Sequence, residues 1–296
     1  MRKEMVTTSG RGIRTDSLPY RLFRKAKVLG VWDPEAIDFS RDLQDWNSLT
    51  EGQRQQTLRL ITLFQGGEEA VTLDLLPLMM TIAEEGRIEE EMFLTTFLFE
   101  EAKHTEFFRL VLNVLGQTQD LSHLHSPTYR KIFYEILPES MNRLKRDQSP
   151  EAVAEASTVY NMFIEGVLAE TGYHSFYQGL HKAQKMPGLM EGIGYIKRDE
   201  SRHIGYGTFL LQRLISERQE LYERVEKKLE ELAPLAFALN QEGMEGETES
   251  HFGVPLADTL QFTERQLAVR MEVLARAKHK SVDEIYKTRE SALGVE

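Results

Sequence analysis

The sequence predicts an all-α protein built as a bundle of long helices. Apolar residues recur every three or four positions from about residue 50 to residue 240, and no segment alternates convincingly over six residues. Of the 47 acidic residues, 36 are glutamate and 11 are aspartate. This excess favours helices, because glutamate is a better helix former than aspartate. The pattern therefore indicates a helical bundle in which strands have no part.

The elements follow from breaks in this period. Residues 1–30 are basic and irregular, and we expect an N-terminal arm that lies over a domain. The segment that begins at Trp32, WDPEAIDFSRDLQDW, predicts a turn and then a short helix. Pro77 should kink the first long helix without ending it. Glycine and proline breaks delimit predicted long helices at 51–85, 87–115, 127–147, 150–182, 188–217 and 219–240.

The C-terminal part is expected to be less regular. The Gly- and Glu-rich stretch 241–258 predicts a mobile loop, a last helix follows at about 259–277, and 278–296 forms a polar tail. A chain of 296 residues is near the upper limit for one core. It fits one large domain or two modest ones, and we expect a single helical domain over 1–296.

Composition excludes several classes of function. A net charge of -11 argues against nucleic acid as the main partner, since phosphate binding needs a basic face. The absence of cysteine excludes disulfides, thiolate metal sites and a cysteine nucleophile. We find neither a signal peptide nor an apolar run long enough for a transmembrane segment, so a cytoplasmic protein is the default expectation.

Two Glu-x-x-His pairs interrupt apolar helical stripes. Glu101 precedes His104 by three residues, and Glu200 precedes His203 in the same way. With 8 His and 36 Glu in the chain, roughly one such pair arises by chance, so the spacing alone is weak evidence. A bare carboxylate on an apolar stripe, however, costs several kcal/mol. Both pairs therefore need a partner, and the simplest one is the neighbouring side chain one turn away.

Each pair also has an upstream glutamate on another apolar stripe. Glu68 lies 33 residues before Glu101, and Glu165 lies 35 residues before Glu200. That span is about one helix plus a tight return, which brings antiparallel neighbours level. Four helices then converge on four carboxylates and two imidazoles, the ligand set of dinuclear sites in ferritin-like four-helix bundles. Additional helices would surround that core.

The charge of this cluster indicates metal. Four glutamates and two neutral histidines carry about -4, which an apolar bundle centre holds only when protons or cations compensate. Carboxylate and imidazole ligands suit iron or manganese, and zinc is less expected without thiolates. The competing carboxylates Glu69 and Glu170 lie on less apolar faces. The remaining histidines are expected at the surface or around the site: His123, His125, His174, His181, His251 and His279.

Four segments resemble the ribonucleotide reductase small-subunit superfamily over about residues 22–214. They are WDPEAIDFSRDLQDW, LFQGGEEAVTLDLLPLM, FEEAKHTEFF and IKRDESRH. The resemblance implies that one metal is held by Glu68, Glu101 and His104, and the other by Glu165, Glu200 and His203, with Glu101 able to bridge. It also implies that Asp199 supports the first metal-binding histidine and that Trp32 occupies the position of the family's tryptophan. The alternative for Asp199 is a solvent-facing acid on a helix.

Departures from the reductase pattern indicate a sister branch, the ligand-binding oxidases. Phe108 stands where reductase subunits usually carry a radical tyrosine, and no extended tyrosine-bearing tail is present unless Tyr286 serves. In the sister branch a valine–tyrosine pair, here Val71 and Tyr160, becomes an ether cross-link when the metal site reacts with dioxygen. On residue type alone, Val71 is ordinary core packing and Tyr160 a buried tyrosine with a satisfied hydroxyl.

The resemblance implies an oxidase with one manganese and one iron, or two iron ions, that uses dioxygen to attack a strong C–H bond. It further implies a long-chain fatty acid in a hydrophobic channel, with its carboxylate on the metals, and a homodimer. Three alternatives stay open. They are a reductase small subunit without the radical tyrosine, a ferritin-like metal store or lipid-binding bundle without turnover, and a purely structural helical bundle.

Overall fold

Helices make up nearly all the regular structure of residues 5–294, the part of the chain that this computed structural model describes. Within those residues there is no strand, and a single isolated β-bridge joins Glu249 to Pro255. The all-α prediction is confirmed. The α-helices are α1 (Leu18–Leu29), α2 (Asp42–Ser48), α3 (Glu51–Glu84), α4 (Ile88–Val114), α5 (Pro127–Arg130), α6 (Leu137–Arg143), α7 (Pro150–Ser157), α8 (Glu170–Phe176), α9 (Pro187–Glu217), α10 (Leu221–Gly243), α11 (Leu256–Ala275) and α12 (Val282–Tyr286).

Two of the predicted long helices contain π-helical turns. The stretch Lys131–Ile136 joins α5 to α6, Thr158–Ala169 joins α7 to α8, and Tyr177–His181 extends α8. Such wide turns are rare and frequently occur at functional sites. The segment Thr158–Ala169, called the π segment below, carries both Tyr160 and Glu165. Hydrophobic periodicity did not predict it, since a π turn shifts the apolar stripe only locally.

Four long segments form the core of the bundle: α3, α4, the π segment and α9. The helices α3 and α4 pack as antiparallel neighbours, and α9 packs against both α4 and the π segment. The hydroxyls of Thr72 and Thr105 lie 3.4 Å apart across α3 and α4, so these two positions are level in the bundle. A capping box between Thr50 and Gln53 starts α3, and the helix continues through Pro77 to Glu84. The fold is the predicted ferritin-like four-helix bundle with additional helices.

The expectation of an irregular N-terminal arm is wrong for residues 18–29. These residues form α1, which packs against α4 and α9 and buries Leu18, Leu22 and Ala26. The three residues lie four positions apart and form one helical face. Basic side chains on the opposite face dominate the composition, which hid this apolar stripe.

The C-terminal part is also more regular than the sequence suggested. The helix α10 runs to Gly243, so the predicted loop is shorter, and α11 already begins at Leu256. The expected polar tail contains α12, where Ile285 is fully buried and Tyr286 is nearly so. Mobility of the loop and the single-domain organisation stay predictions. None of the helices among residues 5–294 combines the length and apolarity that a membrane crossing needs.

A close approach between α4 and α9 makes a testable contrast between two glycines. A Cβ atom at Gly192 would lie 2.0 Å from the buried ring of Phe107, whereas one at Gly194 would meet nothing nearer than the Tyr177 hydroxyl at 3.7 Å. Gly192→Ala should therefore lower the free energy of unfolding by about 1–3 kcal/mol through overpacking. Gly194→Ala should raise it by up to about 1 kcal/mol, because alanine is the better helix former. Urea denaturation of both variants checks this, and equal effects would contradict the packing.

Candidate metal centre

The structure brings the six predicted ligands together at the centre of the bundle. Their donor atoms form two groups, and within each group all donors lie within 4.8 Å of one another. All six side chains are buried, with exposed fractions of 6% or less. The first group is Glu68, Glu101, His104 and Glu200, and the second is Glu101, Glu165, Glu200 and His203.

Glu101 and Glu200 belong to both groups. The Nδ1 atom of His104 lies 3.3 Å from one oxygen of Glu200 and 3.7 Å from one oxygen of Glu101. The Nδ1 atom of His203 lies 3.0 Å from the other oxygen of Glu101 and 3.5 Å from the other oxygen of Glu200. Each of these carboxylates thus faces both imidazoles. The sequence indicated such a shared position for Glu101 alone.

Helix geometry explains this convergence. A glutamate and a histidine three residues apart lie one turn apart on the same face, and α4 and α9 each present such a pair inward. The helix α3 adds Glu68 and the π segment adds Glu165. Glu69 is exposed and Glu170 is only partly buried, and both lie outside the two groups. The other six histidines lie outside these groups as well.

Several donor atoms of the cluster have no hydrogen-bond partner although they are buried. They are both carboxylate oxygens of Glu101, one oxygen each of Glu165 and Glu200, and the Nδ1 atoms of His104 and His203. Buried polar groups are nearly always paired, and leaving one unpaired costs about 1–3 kcal/mol. Two cations between the carboxylates would satisfy all of these atoms at once. Oxygen and imidazole donors without thiolate fit iron or manganese, so the residues present fit a dinuclear metal site.

Electrostatics of the metal-free cluster favour bound protons. Burial raises the pKa values of Glu68 and Glu165 well above the ordinary carboxyl range. Burial also raises the pKa of Glu101, but the imidazoles of His104 and His203 outweigh it and lower that pKa to about 2. For the two histidines, burial lowers the pKa, and the surrounding carboxylates raise it well above 6.5. Protons thus do in part what cations would do.

This arrangement predicts a pH dependence of stability. Glu68, Glu165 and the two histidines bind protons more tightly in the folded chain than in the unfolded chain. Stability from such groups is complete below their unfolded pKa values and is lost as the pH rises through the folded values. The metal-free protein should therefore melt at a lower temperature as the pH is raised from about 6 to 9.

Bound metal should change that trend, because the cations replace the protons. The difference in melting temperature between metal-loaded and metal-free protein should grow with pH across the same range. Differential scanning calorimetry of both forms tests the point. A metal-free melting temperature that rises with pH would show that the cluster does not hold protons in this way.

Residues around the cluster orient the first histidine as expected. The Nε2 atom of His104 lies 3.3 Å from Oδ2 of Asp199, and Trp32 Nε1 donates a hydrogen bond of 2.7 Å to the same oxygen. Asp199 is fully buried, so the alternative of a solvent-facing acid is wrong. Phe108 is also fully buried, with its ring stacked on Phe64 at 5.2 Å. A carboxylate beside a ligand histidine fixes the tautomer and the ring orientation.

The partner of the second histidine was not found in the sequence. The Nε2 atom of His203 lies 2.8 Å from Glu100 Oε2, and Arg202 pairs with both Glu100 and Asp199. Lys103, whose ammonium lies over the Trp32 ring, is 3.4 Å from Asp199. In the sequence, Glu100 directly precedes the predicted ligand Glu101, and nothing in its local pattern distinguishes it from a surface glutamate. One signal could have found it: the outer nitrogen of His203 needs an acceptor.

Val71 and Tyr160 are neighbours beside the cluster. The Tyr160 hydroxyl donates to the backbone oxygen of Val71 at 3.4 Å, and both residues are buried. A cavity of about 180 Å³ opens next to Val71, and Glu68, Glu101, Glu165 and Glu200 contribute to its wall. It extends between α3 and residues 164–179 to the segment 244–259. Much of its wall is apolar, including Leu60, Leu63, Phe64, Ile164, Leu168 and Leu239.

A four-helix bundle with this carboxylate and histidine set is the architecture of the ferritin-like dinuclear-metal proteins. The chain belongs to the ribonucleotide reductase small chain family, which matches residues 21–267. The family recognised from the sequence motifs is therefore confirmed.

Solved structures of R2-like ligand-binding oxidases are similar over nearly the whole chain. A tyrosine-to-phenylalanine mutant with an anaerobically reconstituted Mn/Fe cofactor is 40% identical, with a TM-score of 0.86. An R2-like ligand-binding oxidase with an aerobically reconstituted Mn/Fe cofactor is 38% identical, with a TM-score of 0.84. A glycine-to-leucine mutant with a non-activated Mn/Mn cofactor is 40% identical, with a TM-score of 0.87. Each comparison covers 92% of this chain and 98% of the other.

Proposed function

We propose that the protein is an oxygen-activating oxidase with a dinuclear centre of one manganese and one iron, or of two iron ions. The observation that carries this proposal is the set of buried, unpartnered donor atoms on Glu101, His104, Glu165, Glu200 and His203. Similarity to oxidases with a reconstituted Mn/Fe cofactor supports the choice of metals. When bound, the metal pair supplies the electrons for reducing dioxygen and the oxidising power to remove hydrogen from a strong C–H bond.

In this proposal Glu68 and His104 hold one ion, and Glu165 and His203 hold the other. Glu101 and Glu200 belong to both donor groups, so each of them would be available as a ligand to either ion. The outer nitrogens of the imidazoles face carboxylates of Asp199 and Glu100. By accepting the outer N–H, these carboxylates would orient each ring with its inner nitrogen toward an ion, and metal binding would displace any proton from that nitrogen.

Tyr160 and Val71 are proposed to form an ether cross-link. The bond joins the tyrosine oxygen to a side-chain carbon of Val71, and one hydrogen leaves each residue. This oxidation releases two electrons and two protons, and dioxygen reduction accepts them. The contact of 3.4 Å from the Tyr160 hydroxyl to the Val71 backbone holds the oxygen beside α3 before reaction.

Aerobic loading of metal-free protein with manganese and iron tests the function. Proteolysis and mass spectrometry should find the Val71 and Tyr160 peptides joined, with the mass of two hydrogen atoms missing. Anaerobically loaded protein serves as the control and should give separate peptides. Separate peptides after aerobic loading, in protein that has bound both metals, would rule out the cross-link.

A long-chain fatty acid is the ligand that we propose for the cavity. Its carboxylate would meet the metal ions at the end where the four glutamates lie, and its chain would lie along the apolar wall. The metal-free cluster offers such a carboxylate no cation to bind. We therefore expect fatty acid in organic extracts of metal-loaded protein and little in extracts of metal-free protein, as measured by mass spectrometry.

The homodimer is also kept as a proposal. Leu73, Leu76 and Met80 lie three and four residues apart on one face of α3, and Phe99 lies on the adjacent α4. All four side chains are more than 40% exposed, which is unusual for large apolar residues clustered on one surface. Light scattering after size-exclusion chromatography should give twice the chain mass.

The reductase alternative is less well supported by the C-terminal region. Tyr286, the one tail tyrosine that could serve a catalytic partner, is 8% exposed and donates a hydrogen bond to Glu90. A tail that docks to a catalytic subunit must expose its tyrosine, and Tyr286 would have to leave this buried contact with Glu90 to do so. Nucleotide reduction on adding a catalytic subunit would favour the alternative, and metal uptake without oxygen consumption would favour a metal store.

A further inference from the structure

A buried tyrosine–glutamate–tyrosine triad lies between α4, α9 and α12. Tyr206 on α9 and Tyr286 on α12 each donate a hydrogen bond of 3.1 Å to Glu90 on α4, and they use different oxygens of the carboxylate. Tyr206 is fully buried, Glu90 is 1% exposed and Tyr286 is 8% exposed. One carboxylate thus joins a deeply buried phenol to a phenol near the surface.

The inner phenol is linked to the candidate metal centre by rings in contact. The Phe97 ring stacks on the His203 imidazole with centroids 3.7 Å apart and planes 7° apart. Phe93 lies 6.0 Å from Phe97 and 5.2 Å from Tyr206. Tyr206 also follows His203 by three residues on α9, and residues with that spacing are neighbours on a helix face.

The outer phenol reaches the edge of the molecule. Arg87 donates a hydrogen bond of 2.8 Å to the Tyr286 hydroxyl, and the Arg14 guanidinium lies 5.0 Å from the centre of the Tyr286 ring. The Phe209 ring lies 5.1 Å from Tyr286 and 6.2 Å from Tyr206. Two arginines therefore flank the partly exposed end of the triad, and acidic residues pair with both: Glu85 and Glu217 with Arg87, and Asp283 with Arg14.

The proposed function requires a path by which electrons reach the buried metal centre. Reducing one dioxygen to two waters takes four electrons and four protons. Cross-link formation supplies two electrons once, and oxidation of two divalent ions to trivalent ions supplies the other two. Every later turnover needs the ions reduced again by two electrons from outside. The ligand histidines are 0% exposed, so a donor in solution cannot touch them.

We propose that Tyr286, Glu90 and Tyr206 form a relay that carries electrons from a surface donor to the metal centre. The proposal rests on the proposed oxidase function. Tyr206 gives one electron to the oxidised centre and its phenolic proton to Glu90, which leaves a neutral tyrosyl radical. Tyr286 then gives Tyr206 an electron, while Glu90 returns the proton to Tyr206 and accepts the proton of Tyr286 on its other oxygen.

A one-electron donor of the ascorbate class then reduces the Tyr286 radical, and Glu90 returns to Tyr286 the proton that it had accepted. These steps together are one pass of the relay. The net result is one electron moved inward and every phenol restored, so two passes reduce both ions. Glu90 suits this role because both phenolic protons already point at its oxygens. Its charge is balanced by Arg213, whose Nε lies 3.5 Å away.

Tyrosine-to-phenylalanine variants test the relay, because they keep the ring and remove the transferable proton. Tyr222→Phe is the matched control, since the Tyr222 hydroxyl also donates to a glutamate, Glu226, but lies outside the ring path. After aerobic loading, stopped-flow absorption follows reduction of the oxidised centre by ascorbate. Tyr206→Phe and Tyr286→Phe should each slow this rate by about tenfold or more, and Tyr222→Phe should leave it unchanged.

A second measurement needs no metal. In this experiment 3,5-difluorotyrosine replaces Tyr206, and the metal-free protein is to be oxidised from its surface by photogenerated ruthenium(III) tris-bipyridine. Electron paramagnetic resonance should show a fluorine-split radical at position 206 when Tyr286 is present, and lose it in Tyr286→Phe. Calorimetry of the same variants reports whether α12 is still docked.

The outcomes separate the relay from the oxidase function. Unchanged reduction rates in both variants, or a radical at position 206 that persists in Tyr286→Phe, would overturn the relay and leave the triad as a clamp for α12. Lower melting temperatures with unchanged rates would do the same. Protein that binds metal but never becomes oxidised by dioxygen would instead overturn the proposed function, and the metal-free radical measurement would still decide the relay.

Discussion

Glu101→Gln is expected to lower the metal content of purified protein from about two ions per chain to one or fewer. Glu101 faces both imidazoles, and both of its oxygens are buried without a hydrogen-bond partner. Glutamine keeps the volume of the side chain but removes the charge and places two N–H donors toward the cations. Removing a residue that only orients a metal ligand lowers metal affinity by about 10–100-fold. Removing a ligand that is shared by both groups should therefore lower metal affinity by more than about 100-fold.

Glu106→Gln is the matched control. Glu106 lies five residues further along α4 and is exposed, so the same chemical change there should leave two ions in place. Inductively coupled plasma mass spectrometry of both variants, after identical metal loading, compares their metal content per chain. Full metal content in Glu101→Gln would mean that the cluster is not the site, and equal losses in both variants would indicate an unspecific effect of charge.

Tyr160→Phe is expected to abolish the cross-link completely while the metal content stays at about two ions per chain. Phenylalanine fills the same buried space and lacks the oxygen that would join Val71. The lost hydrogen bond is long, at 3.4 Å, so the free energy of unfolding should fall by no more than about 1.5 kcal/mol before loading.

Peptide mass spectrometry after aerobic loading measures the yield of joined peptides. Tyr222→Phe loses a tyrosine hydroxyl elsewhere and should keep the wild-type yield. A joined Val71 peptide in Tyr160→Phe would show that another residue is the partner. Loss of both metal and cross-link would show that Tyr160 supports the site and leave its reaction unproven.

The sequence was sufficient to predict the bundle and the members of the cluster, because both depend on helical period. A glutamate one helix upstream of each Glu-x-x-His pair places Glu68 and Glu165 at the level of the histidines without any knowledge of side-chain positions. The helix α1 was missed although Leu18, Leu22 and Ala26 follow the same period, because the basic residues in this segment outnumber these three apolar ones.

What the sequence did not reveal are contacts between residues far apart in the chain. Glu100 and Arg202 are separated by about a hundred positions, yet they pair beside His203. Nothing in either local pattern requires this partner. The shared position of Glu200 is similar, since it depends on how α9 turns relative to α4. Periodicity places a residue on a helix face, and packing decides which atoms meet there.

The six clustered residues are proposed to bind two transition-metal ions, with Glu101 and Glu200 shared between them. Anomalous diffraction from crystals of protein loaded with manganese and iron, recorded at the absorption edges of both metals, tests it most directly. We expect two peaks, one within coordination distance of Glu68 and His104 and the other of Glu165 and His203, with both shared carboxylates between them. A single peak, peaks elsewhere on the chain, or an empty cluster in fully loaded protein would contradict the claim.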